Sequence, residues 1–212
     1  MNSYHQTLVA WLKYKQIGDS HAHSNFSECG REITLKDLNR VSEQNQLPIT
    51  ITDHSAHLFL GLKDAYFLLN TNYNAQEAQD FLEQSRGLGK KRVAEYIKYF
   101  RENASPLLQL GVEIDLTDDG LLLFPAELIN EIDFFNGHVN HLSSFVNQKS
   151  ADQILEEWKF KSKALIVSGI SVLAHPFRIL ADKKVPFSLK ETMDWLVEIA
   201  KANQVALEIN SH

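Results

Sequence analysis

Asp19, His21 and His23 occupy alternate positions, so on a β-strand all three side chains share one face. Two imidazoles placed that way can bind one metal ion or two neighbouring ions. Asp53 and His54 follow, then Glu113 and Asp115, then His138 and His141, and finally His175, directly before Pro176. Each group lies within or at the end of a short β-like run. Taken singly, such residues have ordinary explanations, since Asp often ends strands and begins turns. Five such groups in succession have a shared one, a rim of metal ligands. Imidazole and carboxylate without clustered cysteine suits Zn, Mn or Fe. The mixture also suits two or three divalent ions rather than one, and Glu113 could bridge a pair. Ions about 3.5–4 Å apart can generate a hydroxide and stabilise the leaving oxygen of a phosphoryl transfer.

The elements that must position these residues alternate between strand and helix, the pattern of an α/β fold. Strands are predicted over residues 16–23, 47–53, 107–116, 132–139, 170–175 and 205–210. Helix starts are readable between them. Thr34 with Asp37, Asn74 with Glu77, Ser150 with Gln153, and Ser188 with Glu191 each precede an apolar run in the manner of a capping box. Pro125 can open another helix, because its missing N–H is no loss in a first turn. Leu8, Trp11, Leu12 and Lys15 suggest a short helix before the first strand. Residues 55–71, rich in Leu, Phe and Tyr, could be a lid over a pocket or a packed helix. No repeat, low-complexity tract or Gly/Pro/Ser-rich linker divides the chain, so residues 1–212 read as one domain. In a β/α barrel every strand delivers its last residues to one rim, and that rim carries the active site.

Composition narrows the partners. The 212 residues are 44% hydrophobic, enough for a sizeable core. Lys and Arg number 21 against 27 Asp and Glu, a formal net charge of −6. That balance argues against broad electrostatic capture of nucleic acid or of an anionic membrane. Lys90, Lys91 and Arg92, with Arg86, form the dense basic run, read as a solvated helix face. Cys29 is the single cysteine, which excludes an intrachain disulfide and suits a reducing cytoplasm. With no signal-peptide plan and no apolar run of spanning length, a cytoplasmic protein is expected.

At this point the residues resemble the polymerase and histidinol phosphatase (PHP) superfamily over almost the whole chain. Gly-Asp19-Ser-His21-Ala-His23-Ser is similar to its opening D-x-H-x-H motif, and Ile-Thr-Asp53-His54-Ser to its second. Gly-Val-Glu113-Ile-Asp115 resembles the third, Asp133-Phe-Phe-Asn-Gly-His138-Val-Asn-His141 the fourth, and Leu-Ala-His175-Pro the fifth. Ala-Leu-Glu208-Ile-Asn210 resembles the strand that follows. The resemblance implies a distorted (β/α)7-type barrel, here with about six strands, and a metal-dependent phosphoesterase. It implies His21, His23 and Glu113 around one ion. Glu113, a fourth-motif histidine and His175 would surround a second, and His54 would belong to a third. A hydroxide generated there would attack phosphorus, Asp53 would join the catalytic group, and Arg178 would hold a phosphate oxygen or else be a solvated loop cation.

Three departures from the pattern set further expectations. The usual fourth-motif ligand position falls on Asn140, so His141 or His138 takes the role. A third-ion ligand position six residues past His23 falls on Cys29, which is either a thiolate ligand or a small buried thiol. The family's final D-x-H strand is not seen before His212, so the chain is a fragment, is completed by a partner or second subunit, or has lost activity. The leading expectation is a histidinol-phosphatase-like enzyme acting on a small phosphorylated substrate. A PHP-type nuclease and a metal-binding domain without turnover are the alternatives.

Overall fold

The computed structural model describes residues 18–65 and 75–209. The expected helix around Leu8 to Lys15 and the cap at Asn74 lie outside the described residues, as do Asn210 to His212.

Six parallel strands form one sheet in chain order: β1 (Asp19–Ala22), β2 (Ile49–His54), β3 (Leu108–Ile114), β4 (Phe134–Gly137), β5 (Val172–Leu173) and β6 (Ala206–Leu207). They curl into a half-barrel, an α/β architecture of the distorted PHP-barrel kind. Strict chain order means that every crossover advances the sheet by one strand. That is the winding of a β/α barrel, and it sends all C-terminal strand ends to the same rim. β2 and β3 are buried almost throughout, as strands covered on both faces must be. Ile51, Leu110, Val112 and Leu173 are wholly inaccessible to solvent.

Helices cover the outside of the sheet: α1 (Leu35–Asn45), α2 (Ser55–Leu60), α3 (Ala75–Asn103), α4 (Ser143–Val146), α5 (Ala151–Val167), α6 (Arg178–Asp182) and α7 (Leu189–Ala202). The capping boxes at Thr34 and Ser150 form with both reciprocal hydrogen bonds, and the Ser188 side chain accepts from the Glu191 N–H. Pro125 opens a 3-10 helix over Ala126–Glu131. Of residues 55–71, Ser55–Leu60 form a packed helix in which Ala56, Leu58, Phe59 and Leu60 are buried, and residues 66–71 lie outside the described residues.

The strands are shorter than the apolar runs predict, and the residues left outside them include His23, Asp115, His138 and His175. β5 ends at Leu173, two residues before His175, whose backbone turns to φ +29°. β4 ends at Gly137, one residue before His138. A Cβ at Gly137 would stand 2.7 Å from Ile170 Cδ1 and 2.9 Å from Leu165 Cδ2, so glycine there lets α5 approach the strand closely. At β4 and β5 the chain leaves the ladder before the histidine that it delivers to the rim, whereas His54 and Glu113 stay within theirs.

Candidate metal centre

Glu113, at the end of β3, is fully buried, and five histidines from four other strand ends surround its carboxylate. Oε1 lies 3.2 Å from His21 Nε2, 3.3 Å from His175 Nε2 and 3.5 Å from His138 Nδ1. Oε2 lies 3.3 Å from His54 Nδ1 and 3.5 Å from His23 Nε2. Register places two of these neighbours. Glu113 pairs with His54 on β2 and with Asn136 on β4, two residues before His138.

Two of the five rings are fixed from behind. His21 presents Nδ1 to Glu208 Oε1 at 3.1 Å, and His138 presents Nε2 to Asp115 Oδ1 at 2.8 Å. A carboxylate only accepts, so each ring carries a proton on the far nitrogen and points its other nitrogen at Glu113. Carboxylate–imidazole pairs of this kind orient metal ligands and raise their basicity.

The donor set fits divalent cations. Both oxygens of Glu113 and the Nδ1 atoms of His54 and His138 are buried without a hydrogen-bond partner. Buried polar atoms seldom stay unpaired. The nitrogen–oxygen spacings among them, 3.3 Å for His54 and 3.5 Å for His138, are long for hydrogen bonds. They match the roughly 3.3 Å edge of a tetrahedron built on metal–ligand bonds near 2.05 Å. The described side chains include five groups whose donor atoms lie within 4.8 Å of one another and could hold an ion: His21–His23–Glu113, Glu113–His138–His175, His54–Asp115–His138, His23–Cys29–His54 and His21–His175–Glu208.

Electrostatics divides the histidines. Burial opposes charge on Glu113, but His138, His175, His21 and His54 outweigh it and hold the carboxyl well below its usual range. Burial likewise opposes charge on His21, yet its bonds to Glu113 and Glu208 raise it to about 10. Burial dominates at His23 and His54 and lowers both to about 4. Near neutral pH His21 therefore holds a proton that an incoming cation must displace, while His23 and His54 are already neutral. Metal binding at pH 7 is expected to release about one proton or more per chain, and apparent affinity to rise with pH up to about 10. Calorimetry in buffers of different ionisation enthalpy measures this release; binding without it would contradict the charge assignment.

Other sequence-predicted residues fall differently. Of the fourth-motif pair, His138 reaches Glu113. His141 lines the adjoining cleft, and its carbonyl accepts from the buried Lys161 Nζ at 3.0 Å. Asn140 Nδ2 donates to Asp115 at 3.3 Å. Asp19 accepts from the His21 N–H and joins none of the five groups. Cys29 is exposed rather than a buried thiol. It stands with His23 and His54, and partial desolvation, then the Glu113 charge, raises the thiol to about 11. Arg178 is exposed at the start of α6, without a hydrogen bond or ion pair to its guanidinium among the described residues, and its charge is felt at His138 and Cys29.

Asp53 does not face the cluster. Adjacent strand residues point to opposite faces, and with His54 turned inward, Asp53 accepts from Ser24 N at 2.8 Å, Ser24 Oγ at 2.6 Å and Tyr96 Oη at 3.1 Å. It braces the loop after β1 against α3. Asp53→Asn is expected to cost about 1–2 kcal/mol of stability while leaving metal affinity within about twofold. Denaturant melts with a chelator-competition titration check both halves.

Two residues beyond the sequence-predicted set also stand here. Glu208, after β6, supports His21; an acid at the end of the last strand was the signal for it. His57 on α2 lies edge-on to His54 at 5.0 Å, one helical turn past it. A cleft of ≈ 450 Å³ opens beside the cluster, bounded by Glu28, Cys29, His57, Asn140 and His141 on its polar side and by residues such as Phe145 and Ile179 on its apolar side. A larger cavity of ≈ 600 Å³, between α3 and residues 117–127, contains no residue of the five groups.

A parallel half-barrel with imidazoles and carboxylates converging at its C-terminal rim is the framework of a metallohydrolase. The sequence matches the family model of the PHP domain over residues 19–212, and the chain belongs to that family, whose members are generally metal-dependent hydrolases of the phosphoesterase type. No curated protein matches the chain. Among the described residues no helix is long and apolar enough to cross a membrane.

Proposed function

We propose that this chain hydrolyses a small phosphomonoester, in the manner of a histidinol-phosphatase-like PHP enzyme, with two or three divalent ions held around Glu113. The observation that carries this reading is the buried Glu113 carboxylate with its five imidazoles, opening on a cleft of ≈ 450 Å³. Divalent ions bound there supply Lewis-acid stabilisation of phosphoryl oxygens and acidify water. The protein's part is to hold the ligands and receive the substrate. His21 and His138 are locked by Glu208 and Asp115. The exposed guanidinium of Arg178, without a hydrogen bond or ion pair among the described residues, would take a phosphate oxygen, which its planar fork of donors suits. The apolar side of the cleft, with Leu142, Phe145, Val146 and Ile179, takes the organic half of the ester and sheds water from it.

The basic run favours this over a nuclease. Lys90 pairs with Glu127, Lys91 with Glu95 and Arg86 with Glu83, and Arg92 donates to the Leu60 carbonyl at the end of α2. These charges serve the surface of α3 instead of lining a path to the rim. The test is hydrolysis of a phosphomonoester panel and of single-stranded oligonucleotides after loading with Zn, Mn or Fe, across a salt titration. Monoester turnover with a shallow salt dependence is expected. Oligonucleotide cleavage that falls steeply with salt would replace this reading with the nuclease one.

A further inference from the structure

We infer that Glu208 is the positioning residue of the metal centre, one carboxylate that sets the tautomer of His21 and holds the unusual backbone of His175; this rests on the metal-centre reading above. Glu208 follows β6, anchored by its N–H to the Leu173 carbonyl at 3.0 Å. Its two oxygens serve different strands. Oε1 meets His21 Nδ1 of β1 at 3.1 Å, and Oε2 accepts the His175 N–H at 2.7 Å. β1 and β6 are the two edges of the sheet, and no backbone ladder joins them among the described residues. The carboxylate is thus a side-chain link from the last strand to the first.

Both contacts act on ligand atoms. Glu208 reaches His21 from the Nδ1 side and Glu113 meets it from the Nε2 side, so Glu208 works on the ring from behind. An Nδ1–H held by the carboxylate leaves the Nε2 lone pair to the cation. At His175, φ is +29°, a region that side-chain-bearing residues seldom enter and that persists only where surroundings enforce it. The short charge-assisted bond to Oε2 is such an enforcement. It aims the ring so that Nε2 lies 3.3 Å from Glu113 and the ring stacks on His21 with centroids 5.5 Å apart. Loss of Glu208 therefore disturbs two ligands at once, without removing either.

Glutamine distinguishes positioning from space-filling. In Glu208→Gln the shape is kept, but the amide has one acceptor where two donors require one each. Either the His175 N–H or the His21 Nδ1–H then faces an NH₂ group, and the second case drives His21 to the tautomer that blocks Nε2.

The experiment is a zinc titration of wild type, Glu208→Gln and Glu208→Ala against a chromophoric chelator, with thermal melts of the metal-free proteins. The His21 Nδ1–H resonance is followed in the zinc-loaded forms. Both variants are expected to bind zinc about 10–100-fold more weakly than wild type. The Nδ1–H signal should be present in wild type and lost or exchanging rapidly in the variants. Glu208→Gln should melt within a few degrees of wild type. Glu208→Gln with wild-type zinc affinity and an unchanged Nδ1–H resonance would overturn the assignment while leaving the metal centre standing. A weakened affinity matched by a collapse of the metal-free fold in both variants would also overturn it, in favour of a purely structural role. Wild-type protein that takes up no zinc, manganese or iron would remove the functional reading and this inference together.

Discussion

Glu113→Gln is expected to abolish metal loading and to lower kcat/KM for any phosphomonoester substrate on the order of 10³-fold or more. The carboxylate is the one group that all five imidazoles share, with contacts from 3.2 to 3.5 Å. An amide of the same shape keeps the packing but removes the charge and one of the two acceptor oxygens. Both Glu113-centred ligand groups lose their bridging member. Ions at such a centre supply several kcal/mol of transition-state stabilisation, and about 4 kcal/mol corresponds to a factor near 10³. Elemental analysis and steady-state kinetics on the same preparation check this. Circular dichroism should be unchanged, since Glu113 is replaced by an isostere on a central strand.

The second large effect concerns stability. Trp158→Ala is expected to cost about 3–5 kcal/mol, the range for removing a buried large aromatic. Trp158 sits on α5 with no exposed surface and packs on Phe177, with ring centroids 5.4 Å apart, and on Trp195 of α7, at 5.9 Å. Its Nε1–H donates to the Pro176 carbonyl at 2.8 Å. The indole therefore joins two helices to the turn that carries His175. With total stabilities of about 5–15 kcal/mol for a domain, the loss takes a large share. Trp158→Phe keeps most of the packing but leaves the carbonyl unpaired, at about 1–3 kcal/mol. Urea melts with and without metal measure both, and the alanine variant should also bind metal more weakly because the His175 turn loosens.

Much of the centre was legible because barrel geometry converts linear order into a rim. His21, His23, His54, Glu113, His138 and His175 are widely separated in the chain, and chain-order winding brings all six together. Helix starts at Thr34 and Ser150 were readable because a capping box is a local interaction. What remained closed depended on side-chain direction and on partners far along the chain. Asp53 and His54 are adjacent, and only the folded sheet shows which one points inward. The choice between His138 and His141 turns on the buried Lys161, whose ammonium is held by Asp118 at 2.7 Å and Glu157 at 3.1 Å and which binds the His141 carbonyl. Glu208 escaped because its value lies in what it touches, 187 residues away at His21. The strands are shorter than their apolar runs because those runs continue past the point where the backbone leaves the ladder, as at β5.

The most direct test of a metal centre on Glu113 is the metal content of untagged protein purified without added metal, measured beside Glu113→Gln and His21→Ala. Near-stoichiometric Zn, Mn or Fe in the wild type, lost in both variants, is the predicted result. Wild-type protein with only trace metal, indistinguishable from the variants, would contradict it.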